Sequence, residues 1–211
     1  MAIWDALIFN KDATFIFNCP DFSFWFKHHA LTPNEDLYKP SRHLTWSPPL
    51  DSIIKVNVDG SSLSNTGRSG FGGLMRNNNG EWLLGFFGFS FITTCLAAEL
   101  YLILHGLHMA YDVGHKDIII ESYSMEALNL IMSEAQPLHP YAPLISQISQ
   151  LRCQDWVASF QNTLRQGNEC ADWLVKHGAS SEDVLQVWTV CPSQLHHILL
   201  SNANGVARLR L

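Results

Sequence analysis

From Ile54 to Asp59 the chain alternates Ile54, Val56 and Val58 with Lys55, Asn57 and Asp59. That period of two defines a strand with one apolar face, and this one runs straight into an acid before Gly60. A Ser/Gly/Asn-rich loop over 60–69 comes next, then two further strand patterns, Gly70 to Arg76 and Glu81 to Phe89. The residues between them, Asn77-Asn78-Asn79-Gly80, tolerate positive φ and suit a tight connection. Three consecutive strands so joined predict an antiparallel meander.

Beyond Phe89 the hydrophobic period changes. Leu96 to Tyr111 contains no proline, only Gly106 as a weak point, and apolar residues on nearly every face, so it predicts a long buried helix capped by Thr93 or Thr94. Asp117 to Ser122 is a short β-branched run that reads as a central strand, and Ser124 caps a helix to about Ser133. After the Pro137/Pro140/Pro143 loop come a helix near Leu144 to Leu151, a strand at Trp156 to Leu164 and a helix from Asn168 to His177. The order βββαβ…βα implies an α/β fold: a mixed five-stranded sheet, three antiparallel strands then two more, with helices packed on it. The division is an irregular aromatic segment and linker over 1–50, the domain over 51–178, and a tail over 179–211. In that tail Leu195, Ile198, Leu199 and Leu200 suit a short amphipathic helix.

Composition narrows the function classes. The 211 residues carry 13 Lys and Arg against 19 Asp and Glu, a net charge of -6, which is unlike the basic footprint of a strong nucleic-acid binder. Five cysteines include no CxxC pair, which argues against a zinc knuckle or a disulfide framework and favours a reduced, intracellular setting. No secretory leader is apparent, and the apolar run Trp82 to Ile92 is too short for a span of about 20 residues, so no membrane association is expected. The histidine pairs 28/29 and 196/197 lack acids at ligand spacing.

Three acids stand where solvation is poor or a helix begins. Asp59 ends an apolar strand, either as a turn former before Gly60 or as a ligand. Glu99 lies among Leu96, Leu100, Leu102 and Ile103, and a buried carboxylate needs a cation, a metal or a shared proton. Asp172 sits in the first turn of the last helix, where the dipole alone favours an acid.

Taken together, Val58-Asp59-Gly60-Ser61, Ala98-Glu99-Leu100, Glu121-Ser122-Tyr123-Ser124 and Asn168-Glu169-Cys170-Ala171-Asp172 resemble ribonuclease H, in particular the RNase H-like domains associated with reverse transcriptases of plant retroelements. The resemblance runs from Trp46 to Gly178, with a weaker tail at Pro192 to Arg208. It includes Asp59 through Gly67, Gly70-Phe71-Gly72-Gly73, Arg76 and Gly80. It implies hydrolysis of the RNA strand of an RNA:DNA hybrid by two Mg²⁺ ions, with Mn²⁺ as a substitute, held by four carboxylates about 3.5–4 Å from metal to metal. Three of those positions would be Asp59, Glu99 and Asp172. At the fourth, this chain has Tyr123. A phenol, neutral up to a pKa of about 10, replaces a carboxylate poorly. Glu121 faces the same side of the strand but lies about 6–7 Å away along it.

The resemblance also places Asn65 and Thr94 against the sugar-phosphate backbone or 2′-hydroxyls of the hybrid, Asn65 being otherwise a turn residue beside Gly67. Arg165 either reaches a phosphate or is a surface arginine before a helix, and Cys95 and Leu96 stand where polar side chains are common. No basic helical protrusion comes after the second helix; residues 134–143 read Glu-Ala-Gln-Pro-Leu-His-Pro-Tyr-Ala-Pro. Between Lys55 and Lys176 there are seven Lys and Arg against eleven Asp and Glu, so weak, salt-sensitive hybrid binding by a monomer is expected. Two readings compete: a metal-dependent nuclease with a damaged site, and an inactive binding or interaction module, or remnant of a retroelement polyprotein.

Overall fold

The three strands of the meander form as expected. β1 (Ile54–Ser62) pairs antiparallel with β2 (Ser69–Arg76), and β2 pairs antiparallel with β3 (Trp82–Ser90). These elements belong to a computed structural model that describes residues 46–62, 69–90, 94–133, 138–164 and 167–204. At the β2–β3 turn Asn77 Oδ1 accepts from the backbone N–H groups of Asn79 and Glu81, and Gly80 takes φ +76°.

Helix α1 (Cys95–Asp112) begins at Thr94, whose Oγ1 accepts from Ala97 N at 3.4 Å. It lies close on the sheet: a Cβ built at Gly106 would stand 3.1 Å from Val58 and 3.3 Å from Val56. After it come β4 (Asp117–Ser122), α2 (Met125–Met132), α3 (Ala142–Arg152) and β5 (Val157–Asn162). Ser124 caps α2 by accepting from Ala127 N. Strand β4 joins β1 in parallel and β5 joins β4 in parallel.

Helix α4 (Glu169–Ser180) covers the opposite face. Its approach depends on glycine, because a Cβ at Gly72 would stand 2.8 Å from Leu174 Cβ. The chain continues into β6 (Gln186–Trp188), antiparallel to β3, and α5 (Ser193–Ala203), so the sheet has six strands in the order β5-β4-β1-β2-β3-β6 rather than five. Leu195, Ile198 and Leu199 of α5 are buried with Leu74, Phe87 and Leu174, while Leu200 is exposed. Trp46 is also buried, with its ring against Gly80.

Alternation on β1 predicts a polar face, yet that face is covered. Lys55, Asn57, Arg76 and Glu121 are all 3% exposed or less. They form one chain of contacts: Lys55 Nζ pairs with Glu121 Oε1 at 2.8 Å, Asn57 Nδ2 donates to Glu121 Oε2 at 2.6 Å, and Arg76 Nη2 donates to Asn57 Oδ1 at 2.6 Å. Lys55 Nζ also donates to Ser47 O at 2.7 Å, and the Arg76 guanidinium lies 4.0 Å from the centre of the Trp46 ring. No helix among the described residues is long and apolar enough to cross a membrane.

Candidate active site

Two acids meet where β1 and α1 converge. Asp59, near the end of β1 and opposite Gly72, is buried, and its Oδ1 accepts from Gly60 N at 2.9 Å. Glu99, one turn inside α1, is 3% exposed, and its Oε2 accepts from Ser122 Oγ at 3.2 Å. Ser122 Oγ in turn accepts from Ser124 N at 3.1 Å, so the same hydroxyl ties Glu99 to the start of α2.

This environment acts on the proton. Burial, and secondly the charge of Asp59, push the Glu99 carboxyl up to about 8, while the Ser122 hydroxyl opposes the shift. Near neutral pH Glu99 is therefore biased toward its protonated form.

Tyr123 occupies the bend after β4, half-buried. The last β1–β4 pair is Asn57 with Glu121, so Asp59 and Tyr123 each lie two residues beyond it on their own segments. Asn162 holds that bend by donating Nδ2 to the carbonyls of Ser122 and Tyr123 at 3.2 and 3.1 Å. Glu121 has turned inward, its two oxygens engaged by Lys55 and Asn57.

Asp172 lies on α4, where its Oδ2 meets Lys176 Nζ at 2.5 Å in an i,i+4 pair. Helix α4 is fixed to the site by a residue that the motif contains but to which the sequence alone assigns no role. Asn168, buried at the helix start, donates Nδ2 to Val58 O at 2.9 Å, beside Asp59.

Thr94, exposed at the start of α1, shares a 3.0 Å hydrogen bond with the Tyr141 hydroxyl. Tyr141 N donates to His139 Nδ1 at 3.2 Å, and the two rings lie 5.6 Å apart. The sequence of this stretch shows only that it lacks basic charge, so the Thr94–Tyr141 contact is beyond its reach. Asn65 and Arg165 lie outside the described residues.

Whether these side chains suit a pair of hard dications is decided by their charges. Two Mg²⁺ ions call for several anionic oxygens at one point. Here burial and the charge of Asp59 favour a proton on Glu99 in the metal-free chain, Asp172 pairs with the exposed Lys176, and Tyr123 adds no carboxylate. Among the described residues no three His, Cys, Asp or Glu side chains come together as a set able to hold a metal ion. Among the described residues the acids bring fewer anionic oxygens to one point than a two-metal centre calls for.

Comparison with known proteins agrees with the fold. Residues 57–178 match the family described as reverse transcriptase-like. An Arabidopsis thaliana protein named as a ribonuclease H protein is 26% identical over 171 residues, 80% of this chain; the chain spans only 27% of that protein's length. The N-terminal RNase H domain of a Mycobacterium tuberculosis protein superposes with a TM-score of 0.55 at 21% identity, covering 61% of this chain and 94% of the other. RNase H1 of Halobacterium salinarum gives 0.55 at 20% identity over 61% and 98%. LC11-RNase H1, solved in complex with an RNA/DNA hybrid, gives 0.55 at 19% over 60% and 96%. With more than half its length matched and its sheet shared with these structures, the chain belongs to the reverse transcriptase-like family and folds as a ribonuclease H-like domain.

Proposed function

We propose that this domain binds RNA:DNA hybrid weakly, as a monomer, and hydrolyses its RNA strand far more slowly than a domain with four site carboxylates. The observation that carries this reading is the acid pair. Asp59 and Glu99 stand together in a buried site that favours keeping a proton, and Tyr123 comes after β4 where the resemblance calls for another acid. A site of this charge holds one dication loosely and two poorly, so the water activation and leaving-group stabilisation that Mg²⁺ or Mn²⁺ supplies are largely lost.

Hybrid recognition is supported by fold kinship and by LC11-RNase H1, which was solved with such a hybrid. To Thr94, exposed at the start of α1, we assign contact with a backbone phosphate or sugar, with Asn65 and Arg165 as further contacts. With few cations in the domain, binding should be weak enough to be lost at moderate salt, although its salt slope should be shallow.

The test is a labelled-hybrid cleavage assay in Mg²⁺ and in Mn²⁺, with fluorescence anisotropy measuring binding separately. The expected result is measurable hybrid binding, little cutting, and increased cutting in Tyr123→Asp that Asp59→Asn then abolishes. Cleavage by the unaltered protein at the rate of Tyr123→Asp would overturn the impaired-site reading. Absence of hybrid binding at low salt would instead favour an interaction module or a retroelement remnant.

A further inference from the structure

A second polar centre lies on the α4-facing side of the same strands, and its charges do not balance. Lys55 and Arg76 are both buried cations, whereas the carboxylate joined to them is Glu121 alone. Glu121 meets Lys55 directly and reaches Arg76 only through the Asn57 amide. Arg76 is 1% exposed. Burial lowers its pKa to about 10 despite the opposing attraction of Cys170, in the first turn of α4, and of Glu121.

The guanidinium is also short of acceptors. Nη2 donates to Asn57, but among the described residues neither Nε nor Nη1 has a hydrogen-bond partner, and the same holds for Nε1 of the neighbouring Trp46. Stacking on the Trp46 ring at 4.0 Å satisfies the face of the guanidinium, whereas its N–H groups lie in the plane and need acceptors of their own. Unpaired buried donors on a charged group are costly and call for a ligand. Water would satisfy hydrogen bonds and leave the charge unopposed; an anion does both.

We propose that Arg76, with Trp46, holds a small monovalent anion of the halide class inside the domain, as the missing counter-charge of the Lys55–Glu121–Asn57–Arg76 network. The site takes an acceptor without protons, because the groups offered to it are all N–H donors. It is separate from the Asp59–Glu99 pair and independent of hybrid binding.

The probe is bromide. Full-length protein is melted in increasing sodium bromide, with total ionic strength held constant by a bulky organic anion, and crystals grown in bromide are examined for anomalous scattering. The expected result is a saturable rise in Tm with bromide and an anomalous peak at hydrogen-bonding distance from Arg76 Nε or Nη1. Arg76→Met should lose the bromide-dependent rise. If that variant does not fold, Trp46→Phe serves: it retains a stacking ring, removes the Nε1 donor, and should weaken apparent bromide affinity about fivefold, the worth of one neutral hydrogen bond. An ordered water with no anomalous signal, or a bromide response unchanged in either variant, would overturn the proposal.

Discussion

Strand β1 carries Lys55, Asn57 and Asp59 along one face, and the surroundings of its two ends treat charge in opposite ways. At Lys55, Asn57 and Glu121 the carboxylate has its lysine within the chain and an amide bridges to Arg76, the one cation left in excess. At Asp59 and Glu99 two acids face each other, one accepting from a backbone N–H and the other from a serine hydroxyl. The first end uses charge as an internal strut. The second brings two like charges together and holds one down with a proton, an arrangement expected of a site that responds to something outside the chain.

The contrast can be broken most forcefully at the strut. Lys55→Met leaves Glu121 buried without its cation, and urea denaturation should show a loss of about 3–5 kcal/mol. A loss below about 1 kcal/mol would mean that the strut is solvated and the two ends are alike.

The next effect is on pH. A carboxyl raised to about 8 in the folded protein contributes most to stability below its unfolded value of 4.5; stability then falls as pH rises and levels off above about 8. Glu99→Gln should flatten that decline, with a difference on the order of a few kcal/mol between about pH 5 and pH 8. Parallel stability curves for the two proteins would show that the acid pair shares no proton.

Adding an acid sharpens the comparison further. Tyr123→Asp should cost about 1–2 kcal/mol without metal, through like-charge repulsion, and Mg²⁺ should restore that loss in a thermal melt. The smallest change is expected at Lys176→Ala: an exposed i,i+4 pair is worth about 0.3–0.5 kcal/mol, so unfolding should barely move.

Much of this architecture is readable from residue order, for reasons that differ by element. Strands β1 to β5 and helix α1 announce themselves because alternation or an apolar run persists over several residues. Strand β6 does not, since Gln186–Trp188 is too short to show a period and exists through pairing with β3. The acids Asp59 and Glu99 are legible as a pair because an apolar setting makes a carboxylate conspicuous.

Lys55, Asn57 and Arg76 mislead for the same reason that β1 is clear. Polar alternation normally marks a face in water, but α4 and Trp46 cover this one. The pairing of Asp172 with Lys176 is local and can be anticipated from their spacing of four. That Glu121 turns toward Lys55 is a tertiary fact, settled by the parallel register of β4 on β1.

The bond from Asn168 to Val58 spans 110 positions of sequence. Its consequence concerns time as much as space. Loop closure over such a separation is costly before any contact rewards it, so α4 should dock after the local hairpins have formed. Until then the face of β1 that carries Lys55, Asn57 and Asp59 lacks its α4 cover. The two ends of the strand should therefore acquire their separate characters only once α4 has docked.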